Sequence, residues 1–169
     1  RVAVTGVGVV TPIGWGYDAF RDGLRAGRSG VRRIGAFDCT GMRTQIAAEV
    51  NEGDGDLLEW VEPRKASKLM SRAALFAVAA AGMARRHAGL GCDAVHPERV
   101  GVVVGAGGMG ATDLDLLMAQ AQATIDSAKN GAAGAWDIPT FVRVFTERTN
   151  PIAPLRGLPN LGAAHVAIR

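Results

Sequence analysis

Val2–Val10 reads VAVTGVGVV, a β-branched run broken by Gly6 and Gly8 and stopped by Thr11-Pro12. An apolar run without polar alternation predicts a strand covered on both faces, ending here in a turn. Arg99–Gly105 (RVGVVVG) repeats the pattern. Between them, Tyr17–Ala26 sets Phe20 and Leu24 four apart and reaches Gly27, where a helix C-cap belongs. Arg28–Met42 reads as loop, Gln45–Val50 (QIAAEV) as a short strand, and Asn51–Asp56 as an acidic loop. Ser67–Leu90 predicts the longest helix, with Leu69, Met70, Ala73, Ala74, Ala77, Ala80 and Ala81 forming a small apolar face.

After the second apolar run, Ala106–Gly110 is a glycine loop leading into a helix from about Asp113 to Ala128. Asn130–Ala135 reads as a Gly/Ala link, and Ile138–Phe145 as a short helix with Pro139 in its first turn. Pro151–Pro159 is a predicted loop and Leu161–Ile168 a final apolar helix. This β-α-β-α-β-α order predicts a layered α/β domain with a parallel or mixed sheet.

Composition narrows the function classes. With 169 residues, the chain has room for one domain. It is 48% hydrophobic and 21% charged, a globular balance, with 23 glycines and only 5% aromatic residues. A net charge of +3 gives no reason to expect a nucleic-acid partner. Cys39 and Cys92 have no metal-like spacing and suggest no disulfide, which fits a reducing cytoplasm. Ala73–Met83, the longest apolar stretch, is too short to cross a bilayer, so no membrane association is expected. The chain opens at Arg1 within a strand pattern, and an apolar helical pattern runs to Arg169. Both ends therefore read as trimmed.

Two glycine segments invite a nucleotide reading. Thr5–Thr11 gives G-x-G-x-x-T, without the third glycine of the dinucleotide fingerprint. Gly105–Gly110 satisfies G-x-G-x-x-G after a strand pattern. However, Asp126, at the offset of the ribose-binding acid, lies in helical sequence with no strand before it. A strand-to-helix turn is the preferred reading, and no cofactor is expected.

Taken together, RVAVTGVGVVTPIG (Arg1–Gly14), LRAGRSGVRRIGAFD (Leu24–Asp38), Ile46–Val50, PERVGVVVGAGGMG (Pro97–Gly110) and PNLGAAHVAIR (Pro159–Arg169) resemble, in order, the amino-terminal part of β-ketoacyl-acyl-carrier-protein synthases. The segment from Gly110 to Pro151, including GAAGAWDIPTFVRVF, is longer than the usual fatty-acid pattern and hints at a specialised polyketide system. The resemblance implies the amino-terminal half of a thiolase-like layered α-β-α fold with a mixed, mostly parallel sheet, residues 1–169 forming one incomplete domain. It implies decarboxylative Claisen condensation, with an acyl group held on a cysteine.

That cysteine and the family's histidines are expected beyond Arg169, so no catalytic residue and no metal ligand is assigned here. Cys39 and Cys92 are read as structural thiols. His165 is read as a packing residue, and His87 and His96 as helix-end and loop residues. By the same resemblance, Gly107, Gly108 and Met109 lie near the acyl pocket, and Ile152, Leu155 and Leu158 belong to a dimer-interface loop. Arg64, Lys65, Lys68 and Arg72 form a basic cluster at helix-like spacing, suited to an acidic acyl carrier protein or, equally, to a solvated face. The expected assembly is a homodimer or a heterodimer with a ketosynthase-like subunit. Two rivals stand beside this reading. One is a chain-length-factor-like partner without a nucleophile, and the other a self-contained nucleotide-binding domain.

Overall fold

The computed structural model of the chain describes residues 1–50, 55–91, 94–105, 114–132, 135–158 and 160–168. Thr11-Pro12 turns the first apolar run back on itself, so β1 (Val10–Thr11) pairs antiparallel with β2 (Gly14–Trp15). Helix α1 (Gly16–Arg25) follows, and Gly27 takes the left-handed φ of +62° that its closing turn requires. Next, β3 (Val31–Arg33) pairs antiparallel with β4 (Ile46–Ala48), Arg32 opposite Ala47. The predicted strand at 45–50 is thus present, and the predicted loop at 28–42 contains its partner.

The long helix predicted from Ser67 begins later. Residues Arg64–Leu69 form a 3-10 helix, the chain extends at Met70, and α2 runs from Arg72 to His87. Ser71 supplies the reason: its hydroxyl accepts from the Ala74 N–H at 3.2 Å, a cap that requires extended backbone at Ser71. After the 3-10 helices Leu57–Trp60 and Arg64–Leu69, the core gathers Val61, Met70, Ala74 and Val78, against which Trp60, Leu75 and Val166 pack.

Helix α3 (Leu114–Asn130) and α4 (Ile138–Arg148) form a helical hairpin. Ala119, Ala123 and Ser127, four apart, make the buried stripe on α3, and Val144 is buried on α4. The Ser127 hydroxyl donates to the Asp137 carbonyl at 2.9 Å, fixing the return of the chain. A short helix α5 (Ala153–Arg156) occupies the predicted loop at 151–159, and α6 (Leu161–Ala167) lies against α2.

The two apolar runs depart from expectation. Among the described residues neither 2–9 nor 100–105 is paired in a ladder, and both described sheets are two-stranded and antiparallel. Val2 is 99% exposed and Val103 98%. Such runs form buried strands only where neighbouring strands flank them and helices cover their faces. The first run does meet one layer. Gly6 and Gly8 lie so close to α2 that a β-carbon on either would overlap the carbonyl of Ala84 or Ala80. The first glycine motif is therefore a helix-packing contact.

Candidate functional site

The basic cluster divides between two elements. Arg64, Lys65 and Lys68 lie on the 3-10 helix, Arg72 opens α2, and all four are exposed. Arg64 meets Asp56 at 3.6 Å. Arg72 occupies an unusual place, since a cation in a helix's first turn opposes the macrodipole, and α2 has no acidic residue there. Its guanidinium is held by the Val50 carbonyl at 2.9 Å and lies 5.2 Å from the Phe76 ring centroid. Arg72 thus adds its charge to the positive end of α2, while Asp56 partly balances Arg64, and Lys65 and Lys68 stand exposed on the preceding turn.

Glu49 faces the same corner. The N–H groups of Gly35 and Ala36 donate to its carboxylate at 2.9 and 3.0 Å and hold its pKa below the ordinary 4.5. Arg32, 3.8 Å away, and then Arg72 push in the same direction. Sequence reading missed Glu49, because its donors become visible only once β3 and β4 are paired.

The 3-10 helix leans on a distant segment. Arg156, at the end of α5, donates from Nε to the Lys68 carbonyl at 2.9 Å across 88 positions of sequence. The expected interface loop therefore meets the basic corner. Leu155 and Leu158 in that loop are 45% and 46% exposed, while Ile152 is half-buried with its N–H bonded to the Asn150 side chain at 3.1 Å. No sequence signal linked Arg156 to Lys68.

Gly107, Gly108 and Met109 lie outside the described residues, as does Cys92. Cys39 is a free thiol, 1% exposed, its nearest polar contact the Gln45 carbonyl at 3.9 Å. A thiol so buried cannot meet a bulky thioester, in keeping with its structural reading. His87 ends α2, stacks on Tyr17 at 5.0 Å and contacts the Val7 backbone through Nδ1. The His165 Nε2 is buried without a hydrogen-bond partner among the described residues. No cluster of metal-ligating side chains occurs among the described residues. Nor is any described helix long and apolar enough to cross a membrane.

A groove of about 790 Å³ runs between α2 and the end of α6, with Val78, Val100, Val102, Val166 and Ile168 among its walls. Its floor is apolar and lies beside the unpaired run at 100–105, while Glu59, Glu62, Arg85 and Arg86 stand among its other walls.

The family model described as the β-ketoacyl synthase N-terminal domain matches residues 1–147. The chain belongs to the β-ketoacyl synthase family. Over 116 residues it is 43% identical to the tetracenomycin polyketide synthase ketoacyl synthase alpha subunit of Streptomyces glaucescens, covering 68% of this chain and 26% of that protein. It is also 39% identical, over 108 residues, to 3-oxoacyl-[acyl-carrier-protein] synthase 2 of Coxiella burnetii, covering 63% of this chain and 25% of the relative. The chain thus spans about a quarter of the length of these curated relatives. Among solved structures, the ishigamide ketosynthase/chain length factor superposes with a TM-score of 0.68 at 30% identity, over 99% of this chain and 36% of that one. A β-ketoacyl synthase from Burkholderia phymatum gives 0.67 at 25% identity, with the same coverage. This ketosynthase domain shares the thiolase-like fold of those neighbours.

Proposed function

We propose that the chain is the amino-terminal part of a 3-oxoacyl-acyl-carrier-protein synthase catalysing decarboxylative Claisen condensation in fatty acid or polyketide synthesis. The observation that carries the reading is the family match over residues 1–147. In that chemistry an acyl group moves from its thioester to a cysteine thiolate. Loss of CO₂ from a malonyl-carrier thioester leaves an enolate, whose carbon attacks the acyl carbonyl and expels the thiolate. N–H and imidazole donors hold the negative charge on oxygen at each stage. By resemblance to the family, the nucleophile and its histidines belong to residues outside this chain, a reading that the burial of Cys39 supports. Residues 1–169 supply architecture, docking and interface.

The architecture we propose is one half of a layered α-β-α fold with a mostly parallel sheet, in which the runs at 2–9 and 100–105 become strands. Their exposed valines and the apolar groove beside α6 support this, because such area costs about 25 cal/mol per Å² left in water. Gly107, Gly108 and Met109 would then border the acyl pocket, where the two glycines, having no side chains, leave room for an acyl chain. Ile152, Leu155 and Leu158 would face a second ketosynthase-like subunit, and Arg64, Lys65, Lys68 and Arg72 an acidic acyl carrier protein. The exposed leucines and the exposure of the four cations support these two assignments. A free buried thiol fits the reducing cytoplasm of such pathways.

A second reading is favoured by one neighbour, whose description names a chain length factor. The chain would then belong to a non-catalytic subunit of a heterodimer. The full-length protein, supplied with acyl- and malonyl-carrier thioesters, separates the two. Release of CO₂ with formation of a 3-oxoacyl thioester supports the synthase, whereas product only after a second ketosynthase subunit is added supports the chain length factor.

A further inference from the structure

We infer that Arg156 is a positioning residue, fixing the basic 3-10 helix from α5 so that Lys65 and Lys68 are presented in one geometry to an acidic carrier protein. This rests on the docking reading of the basic corner. A 3-10 helix has poorer hydrogen bonds than an α-helix, and its last carbonyls have no partner within it. Arg64–Leu69 is such a helix, held inside by Ala66 N–H to the Pro63 carbonyl at 2.8 Å and Met70 N–H to the Ser67 carbonyl at 3.0 Å.

Lys68, in its last turn, receives its carbonyl's donor from Arg156 instead, at 2.9 Å. A cation at a helix C-terminus also matches the macrodipole. The donor is itself anchored, since Arg156 is half-buried and Ala153, at the start of α5, is 2% exposed. Lysine side chains are long and mobile, so a fixed backbone beneath them lowers the ordering cost of binding. The contact joins Lys68, inside residues 1–147 matched by the family model, to Arg156 beyond them.

The test uses the full-length protein and a phosphopantetheinylated acyl carrier protein. Arg156→Met removes both the donor and the charge, whereas Arg156→Gln removes the charge but keeps an N–H at the same position along the side chain. Arg156→Met should weaken carrier binding about five-fold, the scale of one charged hydrogen bond partly lost. It should also speed amide exchange at Ala66 and Met70, and Arg156→Gln should restore both. Binding unchanged in Arg156→Met, or Arg156→Gln as weak as Arg156→Met, would overturn the inference, the second outcome leaving charge alone. The Lys65→Glu/Lys68→Glu protein separates the underlying reading. If it binds the carrier as the wild type does while Arg156→Met still loosens the turn, the docking assignment fails, and Arg156 holds a turn with no binding role.

Discussion

Gly8 lies against Ala80 so closely that a β-carbon on Gly8 would overlap the Ala80 carbonyl oxygen, and Gly6 stands in the same relation to Ala84. The pair of glycines that looks at first like a phosphate loop thus lets the first apolar run approach the backbone of α2. Ala80 and Ala84, four apart, present the matching smooth surface on the helix.

Replacing Gly8 by Val should therefore destabilise the protein by about 3 kcal/mol, because the obstacle is helix backbone and cannot rotate away. Thermal melting of the full-length variant checks this. Gly91, whose β-carbon would meet nothing within 4 Å, is the control site at which alanine should be tolerated. Equal melting temperatures for Gly8→Val and the wild type would remove the packing account.

Glu49 predicts a pH dependence with a definite sign. Its pKa in the folded protein is depressed by the Gly35 and Ala36 N–H groups, then by Arg32 and Arg72. A depressed carboxylate contributes stability that is fully present above the unfolded value and lost as pH falls through the folded one. The wild type should therefore be more stable than Glu49→Gln at neutral pH, and the difference should shrink as pH drops below the ordinary 4.5. Paired denaturant titrations across that range test it. A gap that stays constant into acid would mean the carboxylate's charge is not what the two N–H groups hold.

Much of this was legible in the sequence, and the failures share a cause. Gly27 marked the end of α1, and the helices at 114–130 and 138–148 were found because their patterns and Pro139 are local signals. The helix expected from Ser67 was interrupted because Ser71 competes as a cap, a local preference outweighed in the reading by the long apolar stripe. β3 reads as loop in the sequence because VRR is exposed on every residue and acquires strand character only from β4. The runs at 2–9 and 100–105 carry strand composition, but a ladder is a property of two chain segments. The same distinction divides the site. The four cations could be read from spacing, whereas Glu49 reaches Gly35 across 14 positions and Arg156 reaches Lys68 across 88.

Reversing Lys65 and Lys68 to Glu should weaken carrier-protein binding at least about ten-fold at low salt, because two attractions become repulsions beside the positive end of α2. Added salt should weaken the wild-type complex and narrow the gap between the two proteins. Titration calorimetry at two ionic strengths reads both effects. An unchanged affinity at low salt would reduce the cluster to a solvated face.

We propose that this chain frames a condensing site whose nucleophile lies elsewhere in the same polypeptide. Incubation of the full-length protein with an acyl thioester, followed by peptide mapping in a mass spectrometer, tests it most directly. The account predicts one acylated cysteine outside residues 1–169, with Cys39 unmodified at 1% exposure. An acyl group found on Cys39 or Cys92 would contradict it.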